Sequence, residues 1–236
     1  MTLKSAFKKI YAERLSTYGY VYCSKLDRFV KVVNNEFLHF IGLTSKGYIA
    51  FENGYKAFSI TGMIVSIYYP YVEKSELNAI STHLDAYSPA KETIYGFKYN
   101  EGCMEEALLK SYTYVEQDML PVMERVIDYD TYIKYQIRMK IEMLSFANKF
   151  WLDSLVLIVN NNHDDFMWLV EENFARASEE SKSQLLYDGM RDVIVDFITK
   201  PRDEVFEDLD LLSAALEEAK LRKMQNIEKL KSYKLL

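Results

Sequence analysis

Two hydrophobic periods divide the chain. Leu3, Phe7, Ile10, Tyr11 and Leu15 recur at three- and four-residue steps, which places them on one face of a first helix. Gly19 ends it, because glycine tolerates the left-handed conformation that follows a helix. The period then shortens. Residues 20–23 read as a short strand and 24–28 as a turn. Residues 29–70, FVKVVNNEFLHFIGLTSKGYIAFENGYKAFSITGMIVSIYYP, are strand formers cut by turn dipeptides. Strands are expected at 29–33 and 37–43 around Asn34-Asn35, at 48–52 and 55–60 around Asn53-Gly54, and at 63–69 after a break at Thr61-Gly62. Asn-Gly favours the tight primed hairpin turn, and Pro70 ends the meander because it cannot donate to a ladder. Residues 71–80 read as a short helix, 81–92 as a loop around Pro89, and 93–99 as a last strand weakened or bulged at Gly96.

From Gly102 the helical period returns. Met104, Ala107, Leu108, Tyr112, Val115, Met119 and Val122 form one stripe, with Pro121 expected to kink or divide the helix near Leu120. Tyr132, Tyr135, Met139, Met143, Phe146 and Phe150 form another, widened by Ile133, Ile137 and Ile141 into the face of a helix buried between neighbours. Further helices are expected at 151–159, 166–177 and 178–199. Pro201 and Asp203 open a last long one, striped by Leu209, Leu212, Leu216, Ala219, Ile227 and Leu230 and broken by Lys223. The predicted fold class is α+β: an N-terminal helix packed on an antiparallel meander sheet of about five or six strands, followed by a mainly helical C-terminal half. Without a Gly- or Ser-rich linker, the boundary is placed near Asp128. It separates a meander domain, 1–127, from a helical domain, 128–236, packed tightly on it.

Charge narrows the partners. The net charge is −6, split unevenly: residues 1–101 hold 12 Lys plus Arg against 9 Asp plus Glu, and the remainder 17 against 26. An acidic second half repels phosphate backbones, so nucleic acid is not an expected partner. Nineteen tyrosines suit core packing with hydroxyls at the rim, since the glycine-and-aromatic motif of RNA-binding sheets is missing. No run approaches the ~20 apolar residues that cross a bilayer, and the N-terminus lacks a secretory pattern, so no membrane and a cytoplasmic location are expected. Cys23 and Cys103 make neither a disulfide framework nor a four-ligand zinc set, and read as buried, reduced thiols.

No constellation spells out a reaction. His39 falls inside a strand and reads as a satisfied core or sheet-surface histidine, while His83 lies near Asp85 in a loop. His163 opens NNNHDDF, where His and Asp side by side are competent metal ligands. The simpler account makes Asn162 a helix cap with Asp164 and Asp165 in the first turn. Nucleophile elbows and phosphate-binding glycine loops are absent. Pairs such as Glu171-Glu172, Glu179-Glu180 and Glu217-Glu218 diverge from consecutive helical positions. Catalytic, cofactor and metal sets are therefore all assigned as none. One polarised element remains: residues 203–218 hold seven acids and no base, and 219–236 hold six bases against Glu228. Acid first and base last matches the helix dipole. The same run makes an acidic patch for a basic protein partner, with Glu204, Glu207, Asp208 and Asp210 as candidate contacts.

The N-terminal helix, the Gly-aromatic step after it, FVKVVNNEFLHFIGL, the Asn-Gly hairpin and DMLPVMERVIDYDTYIKY with its Leu120-Pro121 step resemble an uncharacterised family of bacterial domains of unknown function. The resemblance covers roughly residues 3–135 and its motifs are structural. It implies an N-terminal helix and a strand-opened meander. Some related domains are thought to act as immunity proteins in bacterial toxin systems. The expected function is that of a non-catalytic bacterial intracellular interaction protein, an immunity-like inhibitor that occludes a basic toxin. Two alternatives are a metal-assisted hydrolase using His163 and Asp164, and a homo-oligomeric structural protein that associates through the last helix.

Overall fold

The computed structural model describes residues 1–45, 55–67, 82–128, 131, 132, 135 and 209–236. The expected elements at 48–52, 71–80, 151–159, 166–177 and 178–199, and the turn Asn53-Gly54, lie outside the described residues. The chain divides into two compact units: Met1–Val65, Val72–Lys140 and Leu230–Leu236 form the first, and Ser66–Tyr71 with Ile141–Lys229 the second.

The first unit is α+β. Helix α1 (Leu3–Leu15) starts at Thr2, whose side chain accepts from the Ser5 N–H, and its buried face is Ala6, Phe7, Tyr11 and Leu15. A 3-10 turn, Ser16–Tyr18, carries it to Gly19 at φ 83, the left-handed stop expected there. Among the described residues the antiparallel sheet has six strands: β1 (Val21–Cys23), β2 (Arg28–Val33), β3 (Phe37–Ser45), β4 (Lys56–Ser66), β5 (Thr82–His83) and β6 (Phe97–Tyr99). The spatial order is β1-β2-β3-β4-β5, and β6 also pairs with β4. Asn34 and Asn35 both take positive φ, 53° and 56°, which turns β2 tightly into β3. The register Phe29↔Ile41, Lys31↔His39, Val33↔Phe37 puts these six residues on one sheet face.

Covering that face are α1 and a second helical segment. Phe7 meets Phe29 edge-on at 5.5 Å between ring centroids, and Tyr11 meets Tyr112 edge-on at 5.2 Å. The Tyr11 hydroxyl lies 2.7 Å from Ser111 Oγ, which gives its own proton to the Leu108 carbonyl; Tyr11 is therefore the donor. Val30, Leu38, Phe40 and Met63, on the opposite face, are buried as well. Burial on both faces explains why β4 is buried without a break from Ala57 to Ser66, Ser59 and Thr61 included, rather than alternating in and out.

Three local expectations are corrected. Thr61-Gly62 is no turn: β4 runs through it, because a Cβ at Gly62 would stand 2.7 Å from Met119 Sδ and 3.4 Å from Met123 Sδ. The glycine marks a close approach between sheet and helix. The expected strand at 93–99 forms only at Phe97–Tyr99 (β6); residues 93–95 belong to helix α2 (Lys91–Tyr95), and Gly96 at φ 81 turns the chain between the two. The expected loop at 81–92 holds β5 and a 3-10 turn, Leu84–Ala86. Near Leu120 the α-helical pattern is interrupted, as expected of Pro121, by a π turn. Helix α3 (Met104–Tyr114) passes into a π turn, Val115–Met119, then into α4 (Leu120–Met123), with the Leu120 N–H reaching Val115 O. The wider turn makes room for a ring that would otherwise meet the carbonyl four residues back. Its extra residue also advances the buried face, so that Leu120 and Met123 are buried and Val122 is only half-buried.

Filling the space at Gly62 should be costly: Gly62→Val is expected to lower stability by about 1–3 kcal/mol through overpacking. Combined with Met119→Ala, which alone opens a cavity, it should cost less than the sum of the two. Urea unfolding of the four proteins checks this, and strictly additive effects would show that the strand and the π turn do not touch there.

In the second unit, the described residues include most of α5 (Leu209–Ser232). There Asn226, itself buried, donates from Nδ2 to the Ile67 carbonyl at 2.7 Å.

Candidate functional site

Three places in the described structure gather chemistry. The first is a half-buried ionic cluster between the sheet and the end of α4. The Lys31 ammonium contacts Glu124 Oε2 directly, and the Tyr20 hydroxyl donates to Glu124 Oε1 at 3.3 Å. Lys31 Nζ also lies 5.8 Å from the centre of the Tyr20 ring. Across the strand pair from Lys31 stands His39, 1% exposed, and neither of its ring nitrogens makes a hydrogen bond of ordinary geometry. Burial, then the Lys31 charge, pushes the imidazole down to about 3, against a weaker opposing pull from the Val126 backbone. Burial pushes the Tyr20 phenol up, and the Glu124 carboxylate adds to it. A neutral histidine locked beside an engaged Lys–Glu pair is a structural arrangement, closed to a substrate.

Neighbouring tyrosines are similarly committed. Tyr135 accepts the Ile64 N–H at 3.2 Å and lies 2.7 Å from the Tyr87 hydroxyl, and burial pushes it up to about 12. His83 Nδ1 lies 3.2 Å from Ser59 Oγ. Both thiols are free, Cys23 buried and Cys103 half-buried. Among the described residues no group of three or more His, Cys, Asp or Glu side chains is gathered as a metal ion would need.

The second place is an open groove of about 820 Å3 between α2, β6 and the first half of α3. Phe97 and Ala107 form its floor, Tyr95 one wall, and Lys91, Lys98 and Lys110 stand at its rim. Lys110 reaches from α3 to Glu92 on α2 at 3.3 Å and so ties the two walls together. That pair, with the Glu92 backbone as the larger influence, holds the Glu92 carboxyl below its ordinary range. Tyr95 is 68% exposed and its neighbour Ile94 48%, an unusual outlay of apolar surface on a five-residue helix.

The third is the outer face of α5. Glu217, Lys220, Leu221 and Met224 fall at helical spacing and are all exposed, Leu221 to 44% and Met224 to 57%, with Glu217 and Lys220 paired at 2.7 Å. Of the predicted contact residues, Asp210 lies in α5 just after its first residue, without a described side chain. Glu204, Glu207 and Asp208 lie outside the described residues, as do His163 and Asp164.

Sequence reading did not find the groove or the ionic cluster. Lys31 and Glu124 are 93 positions apart and Glu92 and Lys110 are 18 apart, so nothing local announces either pair. No family model, no curated protein and no solved structure matches the chain. Among the described residues no helix is long and apolar enough to cross a membrane.

Proposed function

We propose that this protein is a non-catalytic interaction protein that captures a basic protein partner and acts by occlusion, in the manner of an immunity protein against a basic toxin. The observation that carries the reading is the composition of the last helix and the run leading into it. Seven acids without a base occupy 203–218, and exposed Leu221 and Met224 follow on the outer face of α5. Acidic side chains steer and orient a basic surface, while apolar side chains beside them supply contact area that water leaves on binding. The domain resemblance over residues 3–135 favours the immunity form of this role.

The test uses the whole chain and a variant, Glu204→Gln/Glu207→Gln/Asp208→Asn/Asp210→Asn, as parallel baits in the native host. The natural chain should retain a basic protein that moderate salt releases, because exposed charge pairs are screened over about 8–10 Å. The variant should retain at least about tenfold less, a loss of roughly 1.4 kcal/mol. Recovery of the same protein with the same salt sensitivity by both baits would refute the placement.

Exposure of Leu221 and Met224 supports one further reading, self-association through the last helix. Sedimentation of Leu221→Glu/Met224→Glu beside the natural chain separates the two: a dimer that this variant dissolves would transfer the face to a second copy.

A further inference from the structure

We propose that residues 124–128 form an acid-released strap, closed over the turn end of the β2–β3 hairpin at neutral pH and detached from it in acid while the sheet stays folded. These five residues belong to no helix or strand. Three side chains of the one hairpin reach them. Lys31, in β2, contacts Glu124 directly; Asn34, in the turn, donates from Nδ2 to the Ile127 carbonyl at 2.8 Å; His39, in β3, faces the Val126 backbone. Of the five, only Val126 is buried. A segment held by side-chain ties and one apolar anchor opens at a lower free energy than β2, which is paired with β3 along its whole length.

What the strap covers is a ring that acid alters. Among the described residues, the charged and titratable groups that face His39 are Lys31 from β2 and, paired with it, Glu124 at the end of α4, whose other oxygen accepts from the Tyr20 hydroxyl. Closed, the imidazole is 1% exposed, and burial, then the ammonium across the ladder, pushes it down to about 3. Open, it meets water and titrates near its ordinary value of about 6.5. The open form therefore takes up a proton that the closed form refuses, so the closed form keeps its full advantage above pH 6.5 and loses it as the pH falls below. This device is independent of the acidic run on which the protein-binding role rests.

Native-state hydrogen exchange of the whole chain reads the opening, through the Glu124 and Val126 amides that bond to the Leu120 and Met123 carbonyls at 2.8 and 3.0 Å. Corrected for intrinsic exchange, their opening constant should rise about 25-fold between pH 7 and pH 5. Urea well below the unfolding transition should leave it unchanged, whereas the paired amides of β2 and β3 should exchange more slowly and respond to urea. In His39→Leu the opening constant should be flat over the same pH range. Asn34→Gly keeps the left-handed turn at φ 53 and removes the tie to Ile127; it should raise the opening about fivefold at every pH, the worth of one neutral hydrogen bond. If Glu124 and Val126 share the urea dependence of the sheet amides, the segment opens only with the whole unit and the proposal falls. It falls equally if the opening constant does not rise in acid, if the rise persists in His39→Leu, or if Asn34→Gly leaves the opening unchanged.

Discussion

Acidification from pH 7 to pH 4 should remove about 3 kcal/mol of stability through one side chain, His39. In the folded chain its imidazole is lowered to about 3, whereas in the unfolded chain it titrates near its ordinary value of about 6.5. Above pH 6.5 both states hold it neutral and the full stability is present. Below pH 6.5 the unfolded chain binds a proton that the folded chain refuses, so stability falls by about 1.4 kcal/mol per pH unit until the pH approaches 3. The refusal has a geometric cause. The ring is 1% exposed, its nitrogens lack well-formed hydrogen bonds, and the groups that face it are Lys31 from β2, itself held by Glu124 at the end of α4, and the Val126 backbone. His39→Leu discards no formed side-chain hydrogen bond and should match or exceed the natural chain at pH 7. Its stability between pH 6.5 and pH 4 should be flatter by about 3 kcal/mol in total. Urea unfolding of both proteins at half-unit pH steps gives the difference directly, and parallel curves would mean that the histidine is already protonated in the fold.

The pattern of apolar residues foretold most of this architecture because the deciding forces were local. Phe7, Tyr11 and Leu15 share a helical face in any environment, and Asn34-Asn35 can enter left-handed φ without help from a neighbour. Failures occurred where a distant element decided. Thr61-Gly62 looks like a turn until Met119 and Met123 are laid over it. Pro121 announces an interruption near Leu120, but not that it takes the form of a π turn just upstream. The segment TIYGFKY satisfies a strand by composition, yet only Phe97–Tyr99 finds a partner in β4, and residues 93–95 close with Lys91 and Glu92 as a helix. His39 was rightly placed inside a strand, but as a satisfied histidine. The fold instead leaves it poorly bonded and neutral, chiefly through burial and secondarily through Lys31 lying directly across the ladder. The groove was invisible for the same reason: its walls come from three elements, two of which only the pairing of β6 with β4 brings into place.

Glu124→Leu should destabilise the first unit by about 1–2 kcal/mol, between the cost of breaking an exposed pair and that of breaking a fully buried one. The substitution strands the Lys31 ammonium, whose side chain is 23% exposed, and leaves the Tyr20 hydroxyl without its acceptor. Removing one member of a partly desolvated pair costs more than the pair contributes, because the survivor keeps its share of the desolvation penalty and loses its partner. For that reason Lys31→Met should cost a similar amount alone, while Lys31→Met/Glu124→Leu should return to within about 1 kcal/mol of the natural chain. The two single variants should part company in acid. Lys31 is one of the influences that lower His39, so Lys31→Met lets the imidazole protonate at higher pH inside the fold and shortens the window over which acid removes stability. Glu124→Leu leaves that ammonium without its counter-charge beside the ring and lengthens the window. A double-mutant cycle measured at pH 7 and again at pH 5 tests both statements. A coupling energy near zero at pH 7 would show that Lys31 and Glu124 are each satisfied by water, and the placement of His39 in a closed, charge-lined pocket would fall with it.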